Sequence, residues 1–290
     1  GGRDFVRHRG QGGESRVDKC PSARLLNQKD IPYRLTLFLE MAKHRFYLPA
    51  SSWNLENLVL TGEEAHHCLD VMRCREGDRV ILFNGAGTEA ETEITGTTKG
   101  TVTVKATLVS ETARPPAILT LGQAIPKGKN MDLIIQKATE LGVSRIVPLL
   151  SERTVVQLDG EDPAKKQQKW QRVAIEACKQ CGQNWIPVVD APVKVETFVR
   201  QAKDALRLIA AISPDASSLK SILASREDDG IARPDAATLM IGPEGDFTPA
   251  EISQALSSGF TSLSLGPIIL RSETAAIYAL SITGYELMGH

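Results

Sequence analysis

Two stretches near the C-terminal end of the 290-residue chain combine glycine, proline and charged side chains. Gly242-Pro243-Glu244-Gly245 follows the apolar run Thr238 to Ile241, and Gly266 to Arg271 follows Leu263 to Leu265 and leads into Ser272-Glu273-Thr274-Ala275. Loops of this composition at the ends of buried strands leave backbone N–H and C=O groups bare, so a small cofactor can lie against them. A binding site is therefore expected here.

Other groups carry weaker signals. Gly122 to Lys129 resembles a phosphate loop but fails as one, because five residues separate its glycines and Asn130 stands where a Ser or Thr should hold magnesium. Lys127 and Lys129 remain as cations at a strand end, able to meet a phosphate backbone or simply to be solvated. Gln136, Lys137 and Glu140 share one helix face, where a Lys137–Glu140 pair is the default. Arg153 and Glu176 add charge near strand ends, where α/β proteins place their chemistry. Cys178-Lys179-Gln180-Cys181 has redox or half-zinc spacing, yet Cys68, Cys74, His66 and His67 supply only a ragged second half. These cysteines read as structural, and no metal is expected. No histidine lies between His67 and His290, so no Ser-His-Asp set can form and most hydrolase chemistry is excluded.

The elements that must hold these groups follow from pattern. With 42% hydrophobic and 24% charged residues, the composition predicts a soluble globular protein of about two domains. Five scattered cysteines suggest reduced thiols and a cytoplasmic location. The net charge of −1 gives no global field for nucleic acid, although residues 114 to 190 hold 11 Lys and Arg against 8 Asp and Glu. No apolar run reaches the roughly 18 residues of a membrane span. Residues 1–40 read as a disordered extension before a start at Met41, with Asp4, Glu14, Asp18 and Asp30 arguing against an organellar presequence.

Residues 41–113 read as a small β-barrel: short strands, a turn at Asn84 to Gly87, and a helix from Glu63 to about Met72 opened by a capping box at Thr61. Pro115-Pro116 marks the boundary. Residues 117–290 alternate strand and helix, which predicts an α/β layer with a mainly parallel sheet. Asn130 is the expected cap of a helix carrying Met131, Ile134, Ile135, Ala138 and Leu141 at helical spacing, and Asp162-Pro163 starts another that runs to about Cys181.

Six ordered pieces carry a family resemblance: His44 to Pro49, Gln136 to Val143, Ser151-Glu152-Arg153, Glu176 to Gly182, Ile241 to Gly245, and Leu265 to Ala275. Together they resemble the RsmE family of ribosomal RNA uridine-N3 methyltransferases, over Met41 to about Leu287. The resemblance implies an S-adenosylmethionine-dependent enzyme of the SPOUT superfamily. Its α/β domain would carry a C-terminal trefoil knot and a mainly parallel sheet, preceded by a PUA-like β-barrel that helps hold RNA. It also implies a homodimer that methylates N3 of one uridine in 16S, small-subunit, ribosomal RNA near the decoding region, free or in the assembled subunit.

Carried over by position, the cofactor would lie against Ile241, Gly242, Pro243, Glu244 and Gly245, against Leu265, Gly266, Ile268, Leu270 and Ala275, and against a third wall at Ile212-Ser213-Pro214. The family usually has a second glycine where Asp246 stands; Asp tolerates a left-handed backbone, so the loop is expected to survive. For catalysis, Arg271 is the first candidate to stabilise a uridine anion, with Glu140, Glu244 and Glu273 as candidate bases. Arg45, Lys127, Lys129, Lys137 and Arg153 are the candidate RNA contacts. The competing class is a non-catalytic, dimeric RNA-binding module, which would bind RNA but take up no cofactor.

Overall fold

The structure, a computed structural model, describes residues 44–128, 130–154 and 162–289. The expectations for residues 1–40 and for Lys129 fall outside these residues.

The N-terminal part is one five-stranded sheet in the order β1-β3-β4-β5-β2. Its strands are β1 (Arg45–Tyr47), β2 (Leu58–Thr61), β3 (Arg79–Phe83), β4 (Thr88–Thr98) and β5 (Thr101–Glu111). Only β1 and β3 pair in parallel; the other pairs are antiparallel. Two register shifts break the β4–β5 ladder, between Glu91 and Thr92 and between Ile94 and Gly96. Such shifts bend a sheet, here around Phe46, Leu58, Leu60, Leu82 and Val102.

The expected helix is shorter than its pattern suggests. α1 spans Gly62–His66 and passes into a π-turn at His67–Val71, and Thr61 makes no side-chain cap. The reason is tertiary. Glu64, which should reach back to the cap, instead accepts from Tyr47 N at 3.1 Å and from Lys179 Nζ at 2.5 Å. His67 packs edge-on against Phe46, while His66 is exposed and bonds Asp70.

Pro115 and Pro116 lie between β5 and β6 (Ile118–Ala124). From there a seven-stranded sheet runs β12-β10-β11-β6-β7-β8, with β9 also on β7, and every pair is parallel. The further strands are β7 (Arg145–Leu150), β8 (Val188–Val189), β9 (Val193–Lys194), β10 (Leu206–Ala210), β11 (Ala236–Ile241) and β12 (Thr261–Ser262). Alternate residues serve opposite faces. Leu239 joins the layer formed by α2 (Asn130–Glu140), α3 (Pro163–Cys181), α5 (Leu219–Asp228) and α7 (Ser272–Met288), whereas Met240 joins that of α4 (Val195–Gln201) and α6 (Pro249–Ser257). Burial on both faces explains why these strands read as continuous apolar runs.

Local signals set the helix ends. Asp162 caps α3 through Ala164 N, and Gly182 ends it at φ 79°. Asn130 is already inside the first turn of α2 rather than its cap. Gly122 owes its place to packing, because a Cβ there would stand 2.4 Å from the Phe198 ring. Among the described residues, no helix is long and apolar enough to cross a membrane.

The β-domain and the α/β layer form one compact unit, Lys43–His290. The Asn84-to-Gly87 turn is bonded to the segment after α3: Gly87 N donates to Asn184 O and Ile186 N donates to Gly85 O. A Cβ at Gly85 would come within 2.6 Å of Ile186, and one at Gly87 within 2.5 Å of Trp185. Only glycines allow this approach.

Candidate active site

Parallel α/β sheets leave a crevice beyond the carboxyl ends of their strands. Here the loops after β10, β11 and β12 converge with the start of α7 around a cavity of about 420 Å³. Of the residues expected to hold the cofactor, Ile212, Ser213, Ile241, Gly242, Pro243, Glu244, Gly245, Leu265, Gly266, Ile268, Leu270 and Ala275 line it. Pro214 does not. Sequence reasoning missed Ala211, Leu263 and Ser272, and it treated Asp246 only as a departure from pattern.

The walls suit a nucleoside-bearing cation. Leu263, Leu265, Ile268 and Leu270 offer apolar area. Leu265, Ile268 and Ile269 make no backbone hydrogen bond among the described residues, so their N–H and C=O groups are available to a ligand. Glu244 adds an acidic residue to the lining, which suits a positively charged sulfonium and amino group. The residues present therefore fit S-adenosylmethionine.

Several buried groups shape the cleft from behind. Gln123, fully buried, donates to Ser272 Oγ at 2.9 Å, and Ser272 Oγ donates to Gly242 O at 2.7 Å. This relay pins the start of α7 under the Gly-Pro-Glu-Gly loop. Glu251 closes a capping box with Thr248 and also accepts from Ser151 Oγ and Glu152 N. It thereby fixes the Ser151-Glu152-Arg153 turn on α6. Thr248-Pro249-Ala250-Glu251 was legible as a helix start; that its carboxylate also grips a second loop was not, since that contact is 100 residues away in sequence.

The charged candidates divide. Glu244 accepts from Lys127 N at 3.0 Å, tying the loop after β6 to the cleft. Arg271 is exposed immediately before α7, and Glu273 is half-buried in its first turn; neither side chain lines the cavity. Glu140 stands apart, at the end of α2, in an ion pair of 2.8 Å with Lys137. Arg153 is exposed and donates to Gly245 O at 2.7 Å. Arg45 is committed inside the protein: its side chain is 12% exposed, bonds Glu89 and Asn184, and lies over the Phe83 ring. The reading of Arg45 as an RNA contact gives way to one as an internal tie. Lys127 keeps an exposed position at the cleft rim.

Cys68, Cys74 and Cys178 are buried free thiols, and Cys181 is partly buried. Burial, the largest cause, pushes the Cys178 thiol up to about 12, with the neighbouring Cys181 adding to it. Among the described residues, no group of His, Cys, Asp and Glu is arranged to hold a metal ion.

A parallel sheet with a strand-end cleft, joined to a small bent β-domain, defines an RNA methyltransferase architecture, and the sequence agrees. Residues 113–284 match the model of an RNA methyltransferase domain, and residues 60–107 that of an RNA methyltransferase PUA domain. The chain belongs to the ribosomal RNA small subunit methyltransferase E family. It is 30% identical over 246 residues to the protein of that name from Bacillus subtilis, covering 83% of this chain and 96% of the relative. Two solved structures superpose with a TM-score of 0.74. One is a methyltransferase from Legionella pneumophila with bound SAM, 39% identical, covering 83% of this chain and 96% of that one. The other is the ribosomal RNA small subunit methyltransferase E of Neisseria gonorrhoeae bound to S-adenosyl methionine, 33% identical, covering 84% and 98%.

Proposed function

We propose that the protein transfers the methyl group of S-adenosylmethionine to N3 of one uridine in small-subunit ribosomal RNA, as a cytoplasmic homodimer. The observation that carries this reading is the acidic, apolar-walled cleft at the ends of β10, β11 and β12, in a chain whose relatives were solved with that cofactor bound.

The cofactor, when bound, supplies a methyl group on a sulfonium with a neutral thioether as leaving group. Uridine N3 keeps its proton at neutral pH, so the protein must remove that proton and stabilise the anion it leaves. Arg271 is the cation for this, because its guanidinium stays charged and it flanks the cleft between Leu270 and Ser272. Glu244 and Glu273 are the bases within the same neighbourhood. Lys127 offers a phosphate contact at the rim, with Lys129 beside it in sequence; Lys137 is paired with Glu140, and Arg153, though exposed, is bonded to the cofactor loop. The β-domain supplies a second RNA surface.

Two further features accompany this reading. The segment 263–271 leaves the outer strand β12 and returns across β10 and β11 to place α7 against β6 and β11, which we take to be the threading of the trefoil knot. Ile268 and Ile269 are 74% and 80% exposed, and Tyr278 and Tyr285, seven residues apart on α7, are 45% and 71% exposed. Apolar side chains so placed suit a self-association surface.

Calorimetric titration with S-adenosylmethionine, beside Gly242→Trp, tests the reading. Gly242 lines the cleft, so an indole placed there takes up room the cofactor would need. Binding by the wild type that the variant loses, followed by N3-methyluridine in ribosomal RNA treated with the enzyme, supports it. A folded wild type that binds RNA and no cofactor points to the RNA-binding module instead.

A further inference from the structure

Asp246 has a left-handed backbone, φ 59°, a conformation that costs a residue with a side chain and that glycine adopts freely. Among the described residues only Arg73 shares this with it outside glycine. What the side chain gains is visible in its bonds. Oδ2 accepts from Ile212 N at 3.2 Å and Oδ1 accepts from Phe247 N at 2.7 Å. Ile212 belongs to the loop after β10 and Phe247 to the loop after β11, so one carboxylate joins two walls of the cleft. Its own N–H donates to Pro243 O at 2.9 Å, which closes the turn beneath. A Cβ at Gly242 would stand 3.1 Å from Oδ1 and crowd the carboxylate, which glycine leaves room for.

We propose that Asp246 is a positioning residue for the cofactor: by clamping the Ile212 loop onto the Gly-Pro-Glu-Gly loop, it sets the width of the cleft. Ile212 itself is 71% exposed, and the next backbone ties of its loop to the sheet come only at Ser217, which bonds Ser262 and Ser264. A glycine at 246 keeps the turn and releases the neighbouring loop. The carboxylate trades backbone ease for preorganisation, and a preformed site spares the cofactor the ordering of the loop on binding. The inference rests on the S-adenosylmethionine reading of the cleft.

The test compares Asp246→Gly and Asp246→Asn with the wild-type protein. The glycine variant relieves the backbone and deletes the clamp; the asparagine variant tolerates the backbone and retains one acceptor oxygen. We expect the dissociation constant for S-adenosylmethionine to rise about tenfold in the glycine variant and about threefold in the asparagine variant, the scale of a charge-assisted hydrogen bond. The Michaelis constant for the cofactor should follow, with kcat unchanged, and the thermal midpoint of the glycine variant should stay at or above that of wild type. Hydrogen exchange at the Ile212 amide should quicken while the β10 amides stay protected. Cofactor affinity within twofold of wild type in the glycine variant, or losses in kcat and thermal midpoint that parallel the loss in affinity, would overturn the clamp. Failure of the wild type itself to bind S-adenosylmethionine would overturn the cofactor reading and the clamp with it. If the glycine variant does not fold, the asparagine variant decides by the same affinity and exchange criteria.

Discussion

The guanidinium of Arg153 donates to the carbonyl oxygen of Gly245 at 2.7 Å, so a side chain from the loop after β7 supports the cofactor loop after β11 from outside. The turn that carries it is held in place by Glu251. Arg153→Ala should therefore weaken S-adenosylmethionine binding about tenfold, from loss of a charged hydrogen bond, with the thermal midpoint moved by only a few degrees. Calorimetry and a melting curve measure both. An unchanged affinity with weakened RNA binding would return Arg153 to the role of RNA contact.

Arg271→Ala tests the chemistry separately from binding. Removing a cation that stabilises developing negative charge lowers kcat by about 10²- to 10³-fold. Cofactor affinity should stay near wild type, because the Arg271 side chain does not line the cleft. Single-turnover methylation of a ribosomal RNA fragment reads the first quantity and calorimetry the second. Near-normal turnover would remove Arg271 from the mechanism.

Arg45 predicts a stability effect. Its removal leaves Glu89 in a half-buried site without its cation, which should cost about 3 kcal/mol in denaturant unfolding of Arg45→Met. Burial pushes the Glu89 carboxyl up, and hydrogen bonds from Arg45, Asn184 and Ser110 with the charge of Arg45 outweigh it, so the net direction is down. A depressed carboxyl contributes stability above its unfolded pKa, about 4.3, and loses it as pH falls through the folded value. The gap in stability between wild type and Arg45→Met should therefore narrow as pH drops below about 4. A gap independent of pH would remove Glu89 as its source.

The buried thiols make a chemical prediction. Burial, with the nearby Cys74 reinforcing it, pushes Cys68 up to about 12, as burial does Cys178. Both should resist alkylation in the folded protein at pH 8 and react once it is unfolded. Their raised values also mean that stability falls as pH climbs from about 9 toward 12, since the unfolded chain releases these protons first. Rapid labelling of Cys178 in the folded state would reopen a redox role for the Cys178–Cys181 pair.

Ile269→Asp, or Tyr285→Asp on α7, should shift sedimentation from dimer toward monomer if these exposed side chains meet a second copy. A wild-type monomer at micromolar concentration would refute the homodimer.

Much of this architecture was legible because the signals are local. The strand–helix alternation after Pro116, the Asp162-Pro163 start and the two glycine loops each depend on a few adjacent residues, and each stands where its pattern places it. What escaped was non-local. Thr61 lost its capping box because Glu64 is drawn to Tyr47 and Lys179, the latter 115 positions away. Arg45 looked available to RNA because its partners Glu89 and Asn184 lie 44 and 139 residues along the chain. Asp246 was visible as an irregularity in a motif; its meaning needed the loop around Ile212 beside it.

The glycines at 85 and 87 have a consequence for how a substrate is measured. Their turn is stitched to residues 184–186 with no room for a side chain, and Lys179, only 7% exposed, fastens α3 to Glu64 on the same front. These contacts join the two halves directly. An RNA that touched both the bent sheet and the cleft would have to match the spacing these contacts set.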